Sequence, residues 1–353
     1  MNPTYDLLLI FGPSIISSVI VLVWGKGFES HLSLNPLIWL VFVVGVDVAH
    51  VYSTLFRSYF HRRLLERHKN LFFYAPIFLW VLGVLVHSID RLYFWRVLAY
   101  FAVFHFTRQQ YGFFAIYSQQ EWRENHLKLK RFIDKVCIYS ATILPILYWH
   151  SHARSFEWFI EGDFFYWPSS HFDFVLKILA IFLFFTYTCS EIILSFKRQS
   201  FNWPKNILLL STALSWTIGI VVFNSDFSFT LTNVLSHGIP YLALVWWNGR
   251  KDQDSEPVSP RINVIFVKKY GWIAMLIFLW FLAYMEEGLW AGIIWKEHLQ
   301  FFPWVKFFNN FDFSAVSNFV VPLLALPQAM HYLFDAYIWK LHGVNAHKQL
   351  SKL

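Results

Sequence analysis

Four histidines, His50, His105, His237 and His331, stand inside long apolar runs of this chain, together with the carboxylates Asp47, Glu191 and Asp335. Ionisable groups in such runs are costly unless they are used, so they are read first as functional groups. Two local pairs have helical spacing: Asp47 with His50 at i, i+3, and His331 with Asp335 at i, i+4. Pairs of this kind chelate one ion together or serve as ligand and orienting partner. Imidazole with carboxylate is a ligand set for zinc, iron, manganese or copper. The expected metal ligands are therefore His50, His105, His237 and His331 with Asp47 and Asp335. Read singly, each histidine is more often a packing residue bonded to a neighbouring helix; four at similar depth argue for a shared site.

These groups need helices to hold them in place. Of the 353 residues, 57% are hydrophobic and 14% charged, a balance that implies an all-α, polytopic membrane helix bundle. Ten apolar windows of spanning length are expected, at about 7–24, 36–58, 71–88, 93–118, 133–149, 173–196, 206–223, 227–248, 270–294 and 314–341. The whole chain, 1–353, is read as one transmembrane domain, with a charged, Ser- and Pro-rich stretch at 249–269 as a possible cytoplasmic linker. Basic clusters follow the second, fourth, sixth and eighth windows and close the chain, which predicts both termini on the cytoplasmic side. The net charge of +7 is then topology rather than nucleic-acid binding, and a bacterial inner membrane is the expected location. Cys137 and Cys189 lie singly in apolar runs, so no disulfide framework or CxxC metal site is expected.

On this reading, the second window and its basic continuation form one long helix from Val46 to Lys69. One stripe of it would carry Asp47, His50, Thr54, Arg57, His61 and His68. Gly238 and Pro240 are expected to break the eighth helix just after His237 and free backbone carbonyls there. Arg108 is the one mid-membrane cation. It would hold an anionic substrate head or pair with Glu191 or Asp47, with Gln109 and Tyr111 orienting groups beside it. Glu286 and Glu287 are expected at a solvated rim. The aromatic segments 156–167 and 295–304 suit the outer membrane interface, the first of them as an amphipathic surface segment.

The pattern resembles in style the His-rich integral-membrane non-haem iron oxygenases and desaturases, where histidines from several helices hold two irons. It departs from them in its spacings: HRRLLERH, HFTRQ and MHYLFD occur here, with no HxxxH or HxxHH box. The resemblance implies oxidation, hydroxylation or desaturation of a lipid-like substrate at bound iron, with zinc or copper as alternatives, and an electron-donor protein as partner. Arg108, Glu191 and Tyr111 would then serve the substrate. Two other classes stay open. One is a haem or quinone-linked redox protein with facing histidine ligands; the other is a proton-coupled transporter using His, Asp and Glu as a relay. A metal-dependent hydrolase or acyltransferase is a weaker reading, since no nucleophile is evident.

Overall fold

A computed structural model of the chain describes residues 3–29, 34–124, 128–255, 265 and 269–339. Every regular element among them is helical. Eight helices are long and apolar enough to cross a membrane: α1 (Pro3–Phe28), α2 (Pro36–Arg57), α4 (Lys69–Ile89), α6 (Lys128–Ser151), α7 (Ser170–Arg198), α8 (Trp203–Val222), α10 (Gly271–Trp295) and α11 (Ser314–Ile338). This is consistent with an integral membrane protein. The other two expected spans are the helices α5 (Arg91–Glu124) and α9 (Asp226–Ser255). They have the length but not the apolar composition, because they carry the polar runs around Arg108 and His237.

The expected single helix from Val46 to Lys69 is instead two. The last turn of α2, Thr54–Arg57, tightens to i, i+3 bonding, and Ser58 leaves helical space at φ −128° and ψ −93°. The cause is local. Ser53 Oγ donates to His50 O at 2.6 Å and Ser58 Oγ to Thr54 O at 2.8 Å, side-chain bonds that compete with the backbone ladder. The short helix α3 (Arg62–Arg67) then starts at His61, whose Nδ1 accepts from Leu64 N. His61 and His68 are thereby taken off the His50 stripe.

The described residues fall into two compact units. The first comprises those of Met1–Leu34 and Ala99–His237, the second those of Asn35–Leu98 and Gly238–Ala346. Each has its own core. In the first, Ala99, Val103 and Phe106 of α5 pack with Ile146, Trp149, Trp216, Ile220 and Phe229. Phe156 and Phe164 join them, so the segment expected as an amphipathic surface segment is a non-helical loop with two rings buried in the core and Phe165, Tyr166 and Trp167 exposed. Phe156 stacks on Phe229 at 4.7 Å. In the second unit Val44, Val48, Ala49 and Phe56 of α2 pack against Tyr241, Leu242 and Val245 of α9 and Met275, Leu279 and Ala283 of α10. Of the stretch 249–269, residues 249–255 continue α9 as helix; 256–264 and 266–268 lie outside the described residues.

Candidate functional site

The candidate ligands divide between the units. His105 and His237 belong to the first, and Asp47, His50, His331 and Asp335 to the second. In the second unit, His50 on α2 and His331 on α11 are each 1% exposed. Their ring centroids lie 5.0 Å apart with planes at 80°. Gly238 makes room for this pair, since a Cβ there would stand 2.8 Å from Val46 Cγ1 and 3.5 Å from His50 Nδ1. Asp47 lies 3.6 Å from His50 Nδ1, ion-pair range but longer than a hydrogen bond.

His331 is the end of a chain of hydrogen bonds. Its Nδ1 is 2.6 Å from Thr54 Oγ1, Thr54 Oγ1 is 3.0 Å from the Tyr241 hydroxyl, and that hydroxyl donates to Asp335 Oδ1 at 2.6 Å. With Asp335 ionised, Tyr241 gives its one proton to the carboxylate, its oxygen accepts from Thr54, and the Thr54 oxygen accepts from Nδ1–H of His331. In that state the chain puts the ring's lone pair on Nε2, the arrangement a metal-ligating histidine needs. Thr54 and Tyr241 are the members sequence reasoning missed as a pair. Thr54 stood on the polar stripe, but a tyrosine among so many aromatic residues gave no signal.

The first unit builds a second pair of similar geometry. His105 and His237 have centroids 5.0 Å apart at 81°, and Phe106 stacks on His237 at 3.5 Å. Contrary to expectation, α9 is not broken after His237 and runs through Pro240. Pro240 has no N–H, which leaves the Ser236 carbonyl one turn back without its helical donor. Gln110 Nε2 donates to Ser236 O at 3.3 Å and Gln109 Nε2 to His237 O at 2.9 Å, while Thr212 Oγ1 donates to Gln110 Oε1 at 3.1 Å. Pro240 thus frees one carbonyl, that of Ser236, and Gln110 occupies it, while Gln109 bonds the carbonyl next to it.

Metal–nitrogen bonds near 2.0–2.1 Å bring imidazoles that share one ion within a few ångströms of each other, and the close ring pairs His50–His331 and His105–His237 could each contribute to holding one. In the second unit a ligand nitrogen of His50 lies within 4.8 Å of one of His331, and ligand atoms of His331 and Asp335 are equally close.

Glu191 and Arg108 are not partners. Glu191, 4% exposed, accepts from Lys130 and Lys205 at 2.5 Å each and from Asn206 at 2.8 Å. Lys205 also bonds Glu121 at 2.6 Å, Arg198 reaches Glu121 at 3.1 Å, and Lys130 bonds Asp134. Three cations thus meet three carboxylates. Lys130, Arg198 and Lys205 belong to the basic clusters read as topology, yet Lys130 and Lys205 are buried. The Lys130–Asp134 pair has helical i, i+4 spacing, whereas the partners of Lys205 and Arg198 lie on other helices, which spacing alone does not connect. Arg108 is exposed and donates from Nη1 to the Tyr139 hydroxyl at 2.8 Å, with Tyr111's ring 5.4 Å from its guanidinium carbon. Glu286, expected at a rim, is buried and accepts from Trp290 Nε1 at 3.3 Å.

Compared with protein-family models, curated proteins and solved structures, the chain matches none.

Proposed function

We propose that the chain is an integral-membrane, metal-dependent oxidoreductase acting on a lipid-like substrate, with ten crossings and both termini cytoplasmic. The observation that carries this reading is the second unit's pair, His50 and His331, with His331 Nδ1 at the end of a hydrogen-bond chain through Thr54 and Tyr241 to Asp335. His50 and His331 are its metal ligands, Asp335 orients through the hydroxyl chain, and Asp47 sits beside His50 as a further ligand or orienting group. His105 and His237 offer a second pair of the same kind. Iron bound there would supply redox chemistry with dioxygen, fed by an electron-donor protein. The protein's own part is a dry, buried setting in which each ring is fixed in orientation.

Elemental analysis and an absorption spectrum of purified protein test the reading. Stoichiometric transition metal, lost in His331→Ala, is expected; a metal-free protein that is nonetheless active would overturn it, and a Soret band would replace it with the haem reading. The same hydroxyl chain favours one second reading, a proton-coupled transporter, because a chain of O–H groups between a carboxylate and an imidazole can pass a proton. Proton-coupled uptake by vesicles containing metal-free protein would select it. For the topology, cysteines introduced at Glu161 and Ser200, both exposed, are expected to label from opposite sides; labelling from the same side would remove the ten-span arrangement.

A further inference from the structure

Arg108 continues an exposed apolar stripe of α5. Phe101 and Phe104 precede it at steps of seven and four, and both are more than half exposed. On α6 the facing stripe runs through Phe132, Lys135, Tyr139 and Ile143, with Phe132, Lys135 and Ile143 exposed. In a membrane these stripes meet acyl chains, so two cations on them call for an anion. Among the described residues neither Arg108 nor Lys135 has a carboxylate partner; the contacts of both are tyrosines. Tyr139 links the two, since its hydroxyl accepts from Arg108 and its ring centroid lies 5.8 Å from Lys135 Nζ. Tyr111 backs the guanidinium and stands 5.3 Å from Tyr139.

This is a built arrangement rather than a loose surface arginine. One N–H of the guanidinium is committed to Tyr139 and one face to Tyr111, which leaves the other donors oriented outward as a planar fork suited to a phosphate. Lys135 lies seven residues, about 10 Å, into α6. Because Arg108 bonds Tyr139, one helical turn beyond Lys135, the pair sits together just inward of the basic rim formed by Lys128 and Arg131, both exposed.

We infer that Arg108, Lys135, Tyr139 and Tyr111 form a binding site for the headgroup phosphate of an anionic membrane phospholipid, with its acyl chains along Phe101, Phe104 and Ile143. The inference rests on the membrane reading alone and stands whether or not a metal is bound; the labelling experiment above tests that reading separately.

The test uses full-length protein reconstituted in vesicles of equimolar phosphatidylglycerol and phosphatidylcholine, extracted in mild detergent, with retained lipid counted by native mass spectrometry. Wild type is expected to retain phosphatidylglycerol in preference, by roughly fivefold for each cation. Arg108→Gln with Lys135→Gln is expected to bring the ratio to that of the vesicle, while Arg108→Lys keeps most of the preference. Excess inorganic phosphate is expected to displace nothing. No preference in wild type, an unchanged preference in the double variant, or displacement by inorganic phosphate would each overturn the inference. Should the double variant fail to fold, Tyr139→Phe, which keeps both charges and removes the clamp, must lower the preference by about half or more; an unaltered ratio there also overturns it.

Discussion

The two units each bury a histidine pair of similar ring geometry, 5.0 Å at 81° in the first and 5.0 Å at 80° in the second, but they support these pairs differently. In the first, His237 is stacked under Phe106 and the donors around it serve backbone carbonyls: Gln109 and Gln110 repair the helix around Pro240. In the second, the hydrogen bonds go to the imidazole itself and end on a carboxylate. The described bonds of the first stabilise a helix next to a histidine; those of the second reach the imidazole of His331 itself.

The largest effect expected on this contrast falls on the first unit's ion-pair cluster. Lys205→Met leaves Glu121 and Glu191 facing each other without their shared cation, and removing one partner of a buried pair costs about 3–5 kcal/mol. Unfolding in detergent should show this loss, while metal content of any folded fraction stays normal. A cost under about 1 kcal/mol would mean the cluster is solvated and contributes little to the unit.

Thr54→Val reverses the pattern. It interrupts the chain between Tyr241 and His331, and loss of such an orienting partner lowers metal affinity by roughly 10–100-fold. Stability should fall only by the cost of the lost hydrogen bonds, about 1–3 kcal/mol. The matched change in the first unit, Gln110→Leu, orphans the Ser236 carbonyl and should cost about the same stability without altering metal affinity. Equal metal effects in both variants would erase the distinction between the units.

Glycine substitutions sharpen the comparison further. At Gly238 an added methyl meets Val46 Cγ1 at 2.8 Å beside His50, so Gly238→Ala should destabilise by about 1–3 kcal/mol through overpacking and disturb the His50 ring. At Gly112, mid-helix in α5, nothing lies within 4 Å of the added Cβ, and Gly112→Ala should be neutral or stabilising by up to about 1 kcal/mol. Denaturant midpoints of the two variants check both signs.

The smallest effect concerns the aromatic loop of the first unit. Asp163 is buried and accepts from Phe159 N at 2.6 Å and Ile160 N at 3.3 Å; burial nevertheless pushes its carboxyl up to about 6 from its ordinary 3.8. A folded pKa above the unfolded one favours the fold in the protonated form. That contribution is full below about pH 3.8 and is lost as pH rises through about 6. Tryptophan fluorescence of the loop, through Trp158, should report loosening between pH 4 and 6.5, and Asp163→Asn should flatten the profile. An unchanged profile in that variant would assign the transition to another group.

Much of this was legible before any coordinates. Eight of the ten windows became helices apolar enough to cross a membrane, because a long apolar run in which backbone groups must satisfy one another leaves helix as the available structure. The polar residues of α5 and α9 were recognised for the same reason that these helices fall short in apolar content. His50 and His331 were singled out, together with His105 and His237, from rarity and depth. The long helix through His61 was misread because serine side-chain bonding to carbonyls is a contest between two local options, and sequence shows the contestants without the outcome. The burial of Lys205, and of Lys130 beyond its i, i+4 partner Asp134, was not legible because it depends on the carboxylates that other helices bring, Glu121 and Glu191.

Sequence alone determined the class of structure, the helical segments and the short list of groups able to do chemistry, since hydropathy and residue type act locally and survive any arrangement of helices. Tertiary structure alone decided the partners: that Thr54 and Tyr241 connect His331 to Asp335, that Gln110 takes the carbonyl freed at Pro240 and Gln109 the one next to it, and that Glu191 answers to lysines rather than to Arg108. Hydrogen bonds and ion pairs act over about 3 Å between residues as many as 277 positions apart, and only the packing of one helix on another brings such residues within reach.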